Sequence, residues 1–145
     1  MNNLIIHTDG AYSSSRNQGG VGIVFVKDDN VIFQYSRTFK NTTNNRCELS
    51  AVIIALNAIS KPFDFITIYS DSQYVINSIN LGWQRKKNIQ LWEYFDKTYE
   101  QAKTYCKDIK FVWVKGHESN DTNESKWNNL ADSLAVSASQ EFIFN

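Results

Sequence analysis

Four acidic residues stand out by where the chain delivers them. Asp9 closes an aliphatic run, Leu4-Ile5-Ile6, and is followed by Gly10; Asp71 closes a second run, Phe65–Tyr69, and is followed by Ser72. Glu48 lies near the start of an amphipathic stretch and Asp132 within the last one. Taken singly, each has an ordinary explanation. Asp9 suits a turn at a strand end. Glu48, three residues after Asn45, suits a capping box. Asp71 suits a helix N-cap, and Asp132 suits a solvent-facing helical position. Taken together, they could meet at one end of a sheet. Four carboxylates cannot crowd unpaired, because repulsion and desolvation would protonate some of them. Hard divalent cations resolve this: Mg²⁺ takes oxygen ligands and keeps positions open for phosphate and water. Two such ions about 3.5–4 Å apart can stabilise the attacking and leaving oxygens of an in-line phosphodiester displacement. His117, after Gly116 at the end of a further strand, is placed to move and to reach solvent.

The elements that must position these groups follow from periodicity. Leu4–Ile6 reads as a strand buried on both faces, ending at Asp9. Val21–Lys27 and Val31–Phe39 alternate as strands around a hairpin turn at Asp28-Asp29-Asn30. Three strands so close in sequence predict an antiparallel meander at one side of a sheet. Arg46–Ser60 has helical period, with Leu49, Val52, Ile53, Leu56 and Ile59 on one stripe and Glu48 leaning toward the sheet. Strand Phe65–Tyr69 and helix Gln73–Asn80 follow. Two strands that each end in aspartate, the second entering a helix, predict parallel neighbours with a site at their carboxyl ends. Ile89–Lys107 is a long amphipathic helix with Trp92, Phe95, Tyr99, Ala102 and Cys106 on one face. Ile109–Val114 is the fifth strand, and Trp127–Ser139 the last helix, with Trp127, Leu130, Leu134 and Ala138 facing inward. The order is βββαβααβα, a five-stranded mixed α/β sheet with helices on both faces.

Composition bounds the function. At 145 residues, with 42% apolar and 14% aromatic content, the chain is expected to form one globular domain over residues 1–145. No apolar run approaches a membrane span, and no signal peptide is visible, so an intracellular, cytoplasmic protein without a membrane partner is expected. Cys47 and Cys106 form no zinc-type cluster. Fifteen basic residues balance fifteen acidic ones, but four acids occupied by metal would leave a basic excess of four, so net charge does not exclude a nucleic acid. Arg85-Lys86-Lys87 beside Trp83 combines charge for a phosphate backbone with a stacking surface.

Five ordered stretches resemble type 1 ribonuclease H. They are Thr8-Asp9-Gly10, Thr42–Leu49 (TTNNRCEL), Ser70–Val75 (SDSQYV), Trp113–His117 (WVKGH) and Asn128–Ala135 around Ala131-Asp132, and they span nearly the whole chain. The resemblance implies a ribonuclease H-like fold and an endonuclease acting on the RNA strand of an RNA–DNA hybrid, leaving 5′-phosphate and 3′-hydroxyl ends. It implies that Asp9, Glu48, Asp71 and Asp132 bind two Mg²⁺ ions, with Mn²⁺ able to substitute. Glu48 would also orient the attacking water, and His117 would assist proton movement and product departure. Asn44, Asn45 and Gln73 match positions that contact the hybrid in its minor groove, where 2′-hydroxyls mark the RNA strand. Thr43 matches a position near the DNA-strand phosphates. Trp83 and Lys86 complete the expected substrate-binding set.

The sequence departs from the family at three loops. Ser13–Gln18 lacks a Gly/Pro-rich character, Gly82–Asn88 stands where many members carry a long basic protrusion, and His117 is separated from Asp132 by an acidic loop. The first strand begins at once, so no N-terminal hybrid-binding domain is expected, and a monomer is expected. The alternatives are another nuclease of this fold, a catalytically silent hybrid-binding module, and a sugar-kinase-type nucleotide-binding domain. The intact acids speak against the second, and Gly19-Gly20 is too little of a phosphate loop for the third.

Overall fold

The computed structural model describes residues 2–82, 85–116, 119 and 122–141. Its elements are β1 (Asn3–Ser13), β2 (Gln18–Lys27), β3 (Asn30–Lys40), α1 (Asn44–Asn57), β4 (Phe63–Ser70), α2 (Gln73–Asn80), α3 (Ile89–Lys103), β5 (Cys106–Trp113) and α4 (Asn123–Ser139). The sheet order is β3-β2-β1-β4-β5. β1 to β3 form an antiparallel meander, and β4 and β5 add in parallel on the other side of β1.

Each face of the sheet is covered by helices, and each has its own core. On one face Leu4, Ile6, Ile66 and Ile68 meet Leu49, Val52 and Leu56 of α1, Val75 and Ile76 of α2, and Trp92 and Phe95 of α3. On the other, Val24 and Val26 meet Ala131 of α4, with Ile5, Trp127, Leu130 and Leu134 packed around them. The consecutive aliphatics of β1 thus serve both layers, as a doubly covered strand requires. The β2–β3 hairpin turns on Asp28 and Asp29, both at positive φ, 51° and 61°. Two left-handed residues match the twist of the flanking strands, and Asp tolerates that conformation better than most side chains.

Four segments differ from what local periodicity predicts. β1 does not end at Asp9: it continues to Ser13 because β2 pairs with it as far as Ser13↔Gln18. Only the β4 partner stops there, at Thr8↔Ser70. Helix α1 is capped by Thr43, whose hydroxyl accepts from the Arg46 N–H at 3.2 Å, and not by Asn45, which lies inside the helix. Helix α3 stops at Lys103, and Cys106 opens β5, because β4 claims that segment from Phe63↔Cys106 onward. Helix α4 starts four residues early, at Asn123, and buries Ala131, Ala135 and Ala138 more deeply than Trp127, Leu130 and Leu134. Gly22 explains this last difference. A Cβ there would strike the Ala131 carbonyl and the Ala135 amide, so the helix backbone lies directly on β2 and the larger residues flank the contact.

Candidate active site

β1 and β4 run parallel in register to Thr8↔Ser70, and the next residue on each is an aspartate. Asp9 and Asp71 therefore stand side by side where the two strands part. From there β1 continues beside β2 while the chain after Ser70 turns into α2. Ser72 caps that helix, accepting from the Val75 N–H at 3.2 Å, so the N-cap role considered for Asp71 falls to its neighbour and the Asp71 carboxylate is left for other use.

Glu48 arrives from α1. A Cβ on residue 10 would overlap the backbone of Cys47 and Glu48, so glycine there lets the helix rest against β1. With no β4 residue opposite, the Gly10 N–H donates instead to Glu48 Oε1 at 2.5 Å and to Asp9 Oδ1 at 2.9 Å. One ligand oxygen each of Asp9, Glu48 and Asp71 lie within 4.8 Å of one another. Asp9 is 3% exposed and Glu48 7%, so two of these carboxyls are inside the protein. Asp132, on α4, hydrogen-bonds Asp9 from the opposite face of the sheet.

The electrostatics match the geometry. Desolvation pushes the Asp9 carboxyl far above its usual range, and the charges of Glu48 and Asp71 push it further. Desolvation also raises Glu48, and the Asp71 charge adds to it, against the lowering effect of its hydrogen bonds to Asp9 and Gly10. Acids so placed hold protons unless a cation replaces them. An all-oxygen, partly buried donor set of this kind fits a hard divalent ion and offers nothing to a thiophilic one.

The remaining predicted residues divide into three groups. Asn44 and Asn45 at the start of α1, and Gln73 at the start of α2, are exposed beside the carboxylates, as is Thr43. Lys86 and Lys87 are exposed. Arg85 is engaged within the fold: its guanidinium lies over Trp92 at 4.3 Å and Phe95 at 5.6 Å from the ring centroids and pairs with Asp96 at 2.8 Å. His117 and Trp83 lie outside the described residues.

Two residues of the Trp113–His117 stretch have a part beside Asp71 that the motif does not announce. Trp113, on the fifth strand, donates its indole N–H to the Asp71 carbonyl at 3.0 Å. Gly116, read only as a hinge for His117, lies against the Asp71 carboxylate. A Trp–x–x–Gly spacing at the end of the strand adjoining β4 was the available signal.

Fold and site define a ribonuclease H-like α/β protein, a five-stranded mixed sheet with its acids gathered where the central parallel strands diverge. The RNase H family model matches residues 1–140. A ribonuclease H of Clostridium botulinum is 36% identical, over 98% of this chain and 99% of its own. Among solved structures, RNase H1 of the archaeon Halobacterium salinarum superposes with a TM-score of 0.71 at 27% identity, covering 94% of this chain and 96% of its own. LC11-RNase H1, solved with an RNA/DNA hybrid, shares the fold with a TM-score of 0.72 at 24% identity, covering 93% and 95%. The chain belongs to the RNase H family. It is a ribonuclease H, of a family that works with divalent metals. Among the described residues, no helix is long and apolar enough to cross a membrane.

Proposed function

We propose that this protein is a monomeric endonuclease that hydrolyses the RNA strand of RNA–DNA hybrids with two Mg²⁺ ions, leaving 5′-phosphate and 3′-hydroxyl ends. The observation that carries the reading is the convergence of Asp9, Glu48 and Asp71 oxygens within 4.8 Å, with Asp132 joined to Asp9 from the other face. Asp9, Glu48, Asp71 and Asp132 would hold the metal. Divalent ions bound there supply the positive charge that an in-line displacement at phosphate needs on its attacking and leaving oxygens.

The chain's own groups do the rest. Glu48, with Oε1 tied to the Gly10 N–H, is fixed in orientation and can direct the attacking water. His117 serves proton transfer and product departure. The starts of α1 and α2 bracket the carboxylates, and their exposed amides, Asn44, Asn45 and Gln73, donate and accept toward 2′-hydroxyls and base edges without demanding a sequence. Thr43 uses its hydroxyl oxygen as a cap acceptor, which leaves the hydroxyl proton for a phosphate of the DNA strand. Lys86 and Lys87 follow the backbone, and Trp83 supplies a stacking surface. The neighbouring LC11 structure, which contains a hybrid, supports this choice of substrate.

The deciding experiment offers a labelled RNA–DNA hybrid beside double-stranded RNA, single-stranded RNA and duplex DNA. Cleavage confined to the hybrid RNA, dependent on Mg²⁺ and stopped by chelator, is the expected result. Equal cleavage of single-stranded RNA, or hybrid binding without cleavage, would reject the proposal.

A further inference from the structure

Of the three converging carboxylates, Asp71 has the weakest internal support. Asp9 sits within β1, still paired to β2 at Asp9↔Gly22, and Glu48 sits within the first turns of α1. Asp71 belongs to no element: it is the one residue between the last pair of β4 and the Ser72 cap of α2. Its neighbours are tied down, Ser72 N–H to Ser70 Oγ at 3.1 Å and Val114 N–H to the Ser70 carbonyl at 3.0 Å. The Ser72 N–H shares its peptide plane with the Asp71 carbonyl, so the Ser70 bond holds that peptide from one side; it leaves the carbonyl oxygen to a partner on another element and does not reach the carboxylate.

The other side of that peptide is held from β5. The Trp113 indole N–H meets the Asp71 carbonyl at 3.0 Å, yet the residue is 42% exposed, a poor use of so large an apolar side chain if packing were its purpose. Three residues later the chain returns to touch the other end of Asp71. A Cβ on Gly116 would lie 2.5 Å from Asp71 Oδ2 and 3.3 Å from its carboxyl carbon. One short segment, Trp113–Gly116, thus grips Asp71 by its carbonyl and backs its carboxylate.

We infer that Trp113 and Gly116 are positioning residues that aim the Asp71 carboxylate into the metal site. The inference rests on the proposed ligand role of Asp71. Residues that orient a metal ligand are worth about 10–100-fold in affinity elsewhere, and a surface-exposed clamp falls at the low end of that range.

The test measures Mg²⁺ binding without substrate, by the rise in unfolding temperature of the full chain as Mg²⁺ is titrated. Trp113→Phe keeps an aromatic side chain and removes the N–H; Gly116→Ala adds the Cβ. Both should raise the Mg²⁺ midpoint by ~10-fold, and Trp113→Phe should have no such effect in an Asp71→Asn background, where the group it aims is gone. A purely structural role for Trp113 would lower the metal-free unfolding temperature and leave the midpoint alone. If Asp71→Asn weakens binding while Trp113→Phe and Gly116→Ala match the parent within twofold, the positioning role is refuted and the ligand assignment stands. If Asp71→Asn itself binds like the parent, the ligand assignment fails and takes this inference with it.

Discussion

Replacing Asp9 with Asn should abolish cleavage and at the same time make the metal-free protein more stable. Asp9 is 3% exposed and its carboxyl is pushed up by desolvation and by Glu48 and Asp71. Its folded pKa therefore exceeds its unfolded value of about 3.9, and the unfolded chain releases its proton first as pH rises. Stability of the metal-free parent must fall from near pH 4 upward, whereas an amide at this position titrates in neither state. Each pH unit of displacement is about 1.4 kcal/mol. On that scale Asp9→Asn gains at least ~1.5–3 kcal/mol at about pH 8. For a chain of this size that is roughly 3–12 °C in unfolding temperature. The assay is calorimetry in chelator at mildly acidic and mildly alkaline pH, repeated with Mg²⁺. The parent should be stabilised by Mg²⁺ and by acid, and the variant should respond less to either. An Asp9→Asn protein that is less stable than the parent in chelator at alkaline pH would refute the argument that these carboxylates crowd against one another.

Other outcomes follow from particular contacts. His7 is buried, its pKa lowered by desolvation from 6.5 to about 4 while the Asn128 amide pulls the other way. Its contribution is complete above the unfolded pKa and is lost as pH falls through the folded one, so His7→Phe should reduce acid destabilisation below pH 5 by up to about 3 kcal/mol in urea titrations. Arg85→Ala should cost about 1–2 kcal/mol of stability through its lost contacts with Trp92 and Phe95, without changing the salt dependence of hybrid binding. Lys86→Ala should instead lower that salt slope by about one counterion and leave unfolding unchanged. Thr43→Ala should cost ~1 kcal/mol by removing the α1 cap, measurable by chemical denaturation.

The sequence made the order of elements, the parallel pairing behind Asp9 and Asp71, and the helix Gln73–Asn80 readable, because each rests on local period or on a strand ending in a polar turn. It misplaced features decided by a partner distant in sequence. The extension of β1 past Asp9 depends on β2 hydrogen bonds, which no property of Ala11–Ser13 announces. Cys106 fits the apolar stripe of α3 and is taken from it by β4. In α4 the large side chains looked like the core face, but the backbone contact with Gly20 and Gly22 selects alanines. Arg85 looked like a phosphate ligand because its neighbours are lysines, and only the fold brings it over Trp92. The acids themselves were legible from type and placement, whereas the hold of Trp113 on Asp71 needs coordinates, since a main-chain acceptor carries no mark in the sequence.

Helix α4 has a consequence of its own. It rests on the meander through a small core separate from the one that α1, α2 and α3 share. It also carries Asp132, whereas Asp9, Glu48 and Asp71 lie on β1, on α1 and at the end of β4. Any loosening of this helix would therefore take one acid from the site while Asp9, Glu48 and Asp71 keep their places. Amide exchange in α4 would then run ahead of exchange in β4, and catalytic power would fade at temperatures where bulk spectroscopy still registers an intact protein.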